Sequence, residues 1–184
     1  MELSNLNIKE GFCISLGANL EGPFGKPIES LIKSKSMVED IIIDLINHER
    51  NKKVEINSLN NFFNWSSFYK TKPLGTNKPQ SDYINCLLLA RGPLMPTATP
   101  EKAKLILKKF QNLEVEFGRN KFLEDEKWLP RPLDLDIIWW DNLHMNDQEL
   151  TLPHPRFKHR NFVITPLAEV LNLTQEVEKL NLTR

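Results

Sequence analysis

The chain has 184 residues, of which 40% are hydrophobic and 26% charged, the usage of a globular domain rather than of a disordered or fibrous chain. Twenty-four Lys and Arg against 24 Asp and Glu leave no net charge, which excludes a general basic coat for nucleic acid. No apolar run approaches the roughly 18 residues of a membrane helix, and residues 1–10 carry two acids and no apolar stretch. The expectation is a single domain over residues 1–184, cytoplasmic, without signal peptide, membrane or nucleic acid.

Phe12-Cys13-Ile14-Ser15-Leu16, closed by Gly17-Ala18-Asn19, predicts a first strand. A Gly/Pro loop follows, and Pro27 suits the first turn of a helix. Its apolar stripe runs through Ile28, Leu31, Ile32, Val38, Ile41, Ile42 and Leu45, weakened between Lys33 and Ser36. Asn47 to Asn61, rich in Asn and Lys, predicts a surface loop with room for a short extended piece at Val54 to Ile56. The aromatic, β-prone stretch Phe62 to Tyr69 predicts a second strand, broken by Lys72-Pro73-Leu74-Gly75. Tyr83 to Ala90 predicts a third, apolar enough to be central. Thr99-Pro100-Glu101 combines an N-cap, Pro at the first helical position and an acid in the first turn. The stripe Ala103, Ile106, Leu107, Phe110, Leu113 and Phe117 then predicts a helix stopped by Gly118. Leu133 to Trp140 predicts a fourth strand, and Thr165 to Leu171 a short helix after Pro166.

The order β-α-β-β-α-β, plus a C-terminal helical extension, predicts an α+β, ferredoxin-like fold with helices packed on an antiparallel sheet. Cys13 and Cys86 fall in apolar runs, so two buried thiols are expected rather than a disulfide. Twelve prolines against 7 glycines is the unusual count. Pro73, Pro130, Pro132, Pro153, Pro155 and Pro166 cluster outside the apolar runs, where fixed φ can pre-set loops.

Chemistry concentrates after the second helix. In Leu133-Asp134-Leu135-Asp136-Ile137 the pleat puts both carboxylates on one face and the apolar residues on the other. Two acids facing the same way repel and resist burial, and a hard cation such as Mg²⁺ between them removes that cost. An exposed face with two solvated acids remains the alternative for the pair alone. Beside it lie Arg119, Lys121, Lys127 and Arg131, the last between Pro130 and Pro132. Cations next to an acid pair make sense around a third, polyanionic body, such as a nucleoside triphosphate with Mg²⁺. Surface pairing with Glu124, Asp125 and Glu126 is the alternative, strongest for Lys121. No P-loop motif occurs. Pro153-His154-Pro155 with Arg156, Lys158, His159 and Arg160 adds a second basic cluster near Phe162, and no Cys or His pair has zinc spacing. Tyr83 and Asn85 share a strand face and could hold a flat heterocycle by stacking and edge hydrogen bonds, or serve as a partly buried Tyr beside a loop-capping Asn.

Together these motifs resemble the 6-hydroxymethyl-7,8-dihydropterin pyrophosphokinase family of folate biosynthesis. The strongest segment is Lys127-Trp128-Leu129-Pro130-Arg131-Pro132-Leu133-Asp134-Leu135-Asp136-Ile137-Ile138. Ser15 to Leu20, Ser66 to Thr71 with Pro73-Leu74-Gly75, Asp82 to Asn85, Glu114 with Gly118-Arg119, and Leu152 to Pro155 with Arg160 and Phe162 to Ile164 follow the family's order.

The resemblance implies a diphosphokinase that moves diphosphate from ATP to the pterin hydroxymethyl group and releases AMP. It implies Mg²⁺ as cofactor, two ions, on Asp134 and Asp136. It implies catalytic roles for Arg119, Arg131, Asp134 and Asp136. ATP contacts fall on Gln111, Glu114, Arg119, Lys121, Trp128, Arg131, Thr151, His154 and Arg160. Pterin contacts fall on Thr71, Leu74, Tyr83, Asn85 and Phe162. Partners are ATP and the reduced pterin, and other folate-pathway enzymes are admitted as further ones. Lys121 stands where the family often has Arg, Leu129 where Gly is frequent, and Pro155 where an aromatic can occur, departures that bear on loop closure more than on the reaction.

Overall fold

The computed structural model describes residues 10–75, 78–120 and 129–171. Five strands build the central sheet. β1 (Phe12–Ala18) is buried along its whole length, and β4 (Tyr83–Ala90) is buried from Asn85 onward. Each therefore reads as a continuous apolar run rather than an alternation, the mark of a strand covered on both faces. β5 (Asp134–Trp140) pairs with β1 on the other side. On the far edge of β4 lie two short strands, β2 (Phe63–Trp65) and β3 (Tyr69–Thr71). The sheet order is β2-β4-β1-β5, with β3 also on β4, and the pairs are antiparallel. The topology is the predicted ferredoxin-like one.

Two long helices cover one face. α1 (Pro27–Arg50) and α2 (Pro100–Glu116) bury Leu31, Val38, Ile42, Ile46, Ile106 and Phe110 against Ile14, Leu16, Cys86, Leu88, Leu135 and Ile137. At the start of α2, the Thr99 side chain accepts the Lys102 N–H at 3.3 Å, with Pro100 at the first helical position, as predicted. A third helix, α3 (Asn161–Val170), lies on the opposite face, where Val163 and Leu167 pack on Cys13, Leu87, Leu89, Ile138 and Trp139. The two cysteines thus face opposite sides of the sheet as free, buried thiols.

Four expectations need correction. The predicted loop from Asn47 begins inside α1, which continues to Arg50, where Asn51 takes a left-handed conformation at φ 49° and ends the helix. The extended piece expected at Val54 to Ile56 is not a strand. Val54 donates its N–H to Asn47 Oδ1 at 2.7 Å, and a 3₁₀ turn follows over Ile56–Leu59. The strand predicted over Phe62 to Tyr69 is split into β2 and β3. Ser66 interrupts it, because its hydroxyl oxygen takes the Leu87 N–H at 2.9 Å and thus replaces a backbone acceptor. The C-terminal helix starts at Asn161 and not after Pro166, which sits buried within it. Proline costs that helix one backbone bond, yet the buried faces of Val163 and Leu167 hold it together. A small hairpin, β6 (Met145–Asn146) with β7 (Thr151–Leu152), was not anticipated. Among the described residues no helix is long and apolar enough to cross a membrane.

Candidate active site

The site grows out of the rows that strand pairing creates on the α3 face. One row runs Asp134, Gly17, Asn85, Tyr69 across β5, β1, β4 and β3. The next runs Asp136, Ser15, Leu87. Asp134 and Asp136 share this face, while Leu133, Leu135 and Ile137 are buried in the other core. A bulge sets where the alternation ends. Cys13 faces Trp139 and Ile14 faces Ile137, so Ile138 is the extra residue in β5. Its carbonyl accepts the His154 N–H at 2.7 Å, which fixes the Pro153-His154-Pro155 loop beside the strand.

Cationic groups are drawn to the acid pair from three directions. Arg131, in the Pro-Arg-Pro lead into β5, hydrogen-bonds Asp134 through its guanidinium. Arg119, just past the end of α2, reaches Glu114 at 2.6 Å and Asp134 at 3.5 Å. Arg160, the residue before α3, bonds Asp136 at 3.0 Å and lies 5.3 Å from the Phe162 ring centre. Glu114 is buried on α2 and ties the helix to the strand, since its second oxygen accepts the Leu135 N–H at 2.8 Å. Three guanidinium groups thus meet three carboxylates around one end of β5.

The electrostatics show strain of a kind a ligand relieves. Burial, and then the neighbouring Asp136, raise the pKa of Asp134 against the pull of Arg131 and Arg119. Burial and Asp134 likewise push Glu114 up to about 7, opposed by Arg119 and the Leu135 N–H. Burial, then Arg160 and Arg156, push the His154 imidazole down to about 4, so the ring is neutral near pH 7. Burial thus disfavours the charged form of both Asp134 and His154, and a neighbouring like charge adds to it in each case. Among the described residues no group of three or more His, Cys, Asp or Glu could hold a metal by itself. That donor set still suits Mg²⁺, which needs only one or two protein carboxylates when phosphate and water complete its shell.

Next to the acids lies a pocket wall of a different character. Asn85 is buried and donates from Nδ2 to Thr71 Oγ1 at 2.9 Å. A Cβ on Gly17 would lie 2.9 Å from Asn85 Oδ1, so glycine leaves room for that carboxamide. Tyr83 is half-buried, its hydroxyl 3.5 Å from the Leu129 carbonyl. Leu74 is 53% exposed at the rim, and Phe162 is half-buried at the start of α3.

The structure brings together Arg119, Arg131, Asp134, Asp136, Glu114 and Arg160 by direct hydrogen bonds, and Thr71 with Asn85. His154 is joined to this group through β5 and the field of Arg160. Gln111 is exposed on α2 one turn before Glu114, and Thr151 bonds only Asn146 of its hairpin at 3.0 Å. Among the described residues, neither is hydrogen-bonded to the charged cluster. Lys121 and Trp128 lie outside the described residues. Sequence reasoning passed over Asn19, which is buried and unites three segments. Its Oδ1 accepts the Arg131 N–H at 2.8 Å, and its Nδ2 donates to Gln80 Oε1 at 3.2 Å and to the Ser81 carbonyl at 3.1 Å. The signal was an Asn directly after an apolar strand, where a buried amide must find partners on other segments.

These features define an α+β protein with ferredoxin-like topology and a charge-paired cleft beside an aromatic, amide-lined wall. Residues 13–172 match the family described as 7,8-dihydro-6-hydroxymethylpterin-pyrophosphokinase, and the chain belongs to that family. It is 40% identical over 105 residues to the 2-amino-4-hydroxy-6-hydroxymethyldihydropteridine pyrophosphokinase of Synechocystis sp., covering 57% of this chain and 48% of that one. The protein of the same description from Haemophilus influenzae is 38% identical over 105 residues, 57% of this chain and 59% of its own. A bifunctional protein, FolKE, of Lactococcus lactis subsp. lactis is 31% identical over 107 residues, 58% of this chain and 28% of its own. The chain thus aligns with about half to three-fifths of the first two relatives, and with less of the third.

Proposed function

We propose that the chain, as one domain over residues 1–184, transfers diphosphate from ATP to the hydroxymethyl group of 6-hydroxymethyl-7,8-dihydropterin and releases AMP, as a cytoplasmic step of folate biosynthesis. The observation that carries this reading is the shared cleft of Asp134 and Asp136 with Arg119, Arg131 and Arg160, bordered by Tyr83, Asn85 and Phe162. The pterin hydroxyl oxygen attacks the β-phosphorus in line, its proton passes to the acid pair or to solvent, the bond from that phosphorus to the α–β bridging oxygen breaks, and AMP leaves with the electron pair. Such a transfer needs positioning and charge neutralisation and no covalent intermediate.

Each residue has work in that step. Arg119 and Arg131 exchange Asp134 for phosphate oxygens, and Arg160 exchanges Asp136. Asp134 and Asp136 hold Mg²⁺, which supplies Lewis-acid neutralisation of the polyphosphate. His154, neutral near pH 7, offers a ring nitrogen to a phosphate or to the nucleotide. Tyr83 and Phe162 present ring faces to the pterin, while Asn85, held by Thr71, reads its edge and Leu74 closes the rim. Glu114 and the looser Gln111 and Thr151 border the nucleotide, and Lys121 and Trp128 are further ATP contacts. Other folate-pathway enzymes are natural partners, in line with a relative described as bifunctional.

The test is direct. With ATP, Mg²⁺ and the reduced pterin, AMP appears in step with the pterin diphosphate. ADP in place of AMP overturns the transfer, and absence of nucleotide turnover with intact pterin binding makes the chain a binding module.

A further inference from the structure

Helix α3 links the two halves of the proposed site, and it is pinned at each end by a side chain. At its start Arg160 bonds Asp136 at 3.0 Å. At its end Glu169 takes three hydrogen bonds from the β2–β3 edge: Ser67 N–H at 2.9 Å, Ser67 Oγ–H at 2.7 Å and Tyr69 Oη–H at 2.8 Å. The helix therefore spans the sheet from the Asp136 position on β5 to β3, whose Tyr69 faces Asn85 and whose Thr71 holds it. The first pin is the weaker one in use. If Mg²⁺ takes Asp136 and phosphate takes Arg160, their mutual bond is lost at the moment the pterin must be held.

We propose that Glu169 is a positioning residue for the pterin. It anchors the last turn of α3 to β3, so that Phe162 at the first turn keeps its place when Arg160 leaves Asp136. Arg160 lies against the Phe162 ring, so movement of that arginine is transmitted to the ring unless the helix is held elsewhere. The same three bonds fix β3 on the side where Ser66 splits the edge strand, and this sets the Thr71 hydroxyl that orients Asn85. Glu169 and Ser67 lie at the solvent edge, so the anchor acts more on geometry than on global stability.

The inference rests on the pterin reading of Phe162 and Asn85, and the experiment keeps the two apart. Glu169→Ala, Glu169→Gln and Tyr69→Phe are compared with the unmodified chain. Steady-state transfer is measured with each substrate varied in turn, beside pterin binding to the complex with Mg²⁺ and a non-hydrolysable ATP analogue. In Glu169→Ala the pterin KM and Kd rise about tenfold, well within the hundredfold that an ångström of misplacement can cost. The ATP KM stays within about twofold, Glu169→Gln recovers part of the loss, and Tyr69→Phe falls between. Unchanged pterin constants in Glu169→Ala overturn the inference, and so does an equal rise in both KM values. If the unmodified chain neither binds nor converts the pterin, the proposed function fails and this inference falls with it.

Discussion

Asp134 and Asp136 sit two residues apart on one strand yet have different neighbours. Among the described residues, Asp134 receives Arg131 and Arg119, whereas Asp136 receives Arg160. Removing Asp136 therefore takes away one of the two proposed cation ligands and also relieves the repulsion that, after burial, raises the Asp134 pKa. Asp136→Ala is expected to lower AMP release by about 10³-fold or more, the scale of a lost transition-state charge partner. Its far-UV circular dichroism stays that of the parent, because the residue lies at the partly open end of β5. Near-parental turnover would remove the metal role from this residue. His154 gives a second expectation. Its pKa is lowered to about 4, so the unfolded chain, near 6.5, binds the proton first. Its contribution thus weakens stability as pH falls from about 6.5 to 4 and is flat above that window. In the proton spectrum its ring resonances should not titrate between pH 5.5 and 8, and a midpoint near 6.5 would contradict the burial and the two arginines that lower it.

At the scale of elements, the row Asp134, Gly17, Asn85, Tyr69 is what joins the acid pair to the proposed pterin wall. Gly17 is the narrow point of that row. Gly17→Ala puts a methyl group 2.9 Å from Asn85 Oδ1 and forces the carboxamide away from Thr71. The expected result is a pterin KM raised about tenfold or more with the ATP KM little changed, again a misplacement effect. Thr99→Ala, far from the site, instead lowers urea-unfolding stability by about 1 kcal/mol as an uncapped helix does, without altering either KM. Elements with one clear pattern were legible in the sequence. β4 and α2 follow their apolar run, cap and glycine stop. Elements shaped by tertiary contacts were not. Ser30 and Ser34 are buried in α1, so its stripe looked broken where the helix is continuous. Ser66 divides β2 from β3 through a bond to Leu87, a partner 21 positions away. Pro166 marked a start by local rules, while packing carries α3 through it.

For the molecule as a whole, zero net charge conceals a local arrangement. The D-x-D strand and the basic lead-in were visible as motifs, and the pleat correctly put both acids on one face. Distance along the chain hid the rest. Glu114 reaches Leu135 across 21 positions and Asn19 reaches Arg131 across 112, contacts no spacing rule supplies. In the resulting cluster each arginine is satisfied by a carboxylate and each carboxylate by an arginine. Free ATP brings negative charge alone, so it can free the arginines only by leaving Asp134 and Asp136 facing each other and the phosphates. Mg²⁺ with ATP satisfies both sets at once. The expectation is a thermal shift that depends on the metal. At about 100 times its Kd, Mg-ATP stabilises by roughly 2.7 kcal/mol, or about 5–10 °C for a chain of this size, whereas ATP with EDTA shifts the midpoint little. The Asp134→Asn, Asp136→Asn double variant loses this distinction, because the repulsion is gone and Arg131 and Arg160 no longer have to leave a carboxylate to take phosphate. Differential scanning fluorimetry of both proteins with ATP, with and without Mg²⁺, decides the matter. Equal stabilisation of the parent by ATP in EDTA would show that the carboxylates do not oppose the phosphates, and the cleft would then not be built around a metal–nucleotide pair.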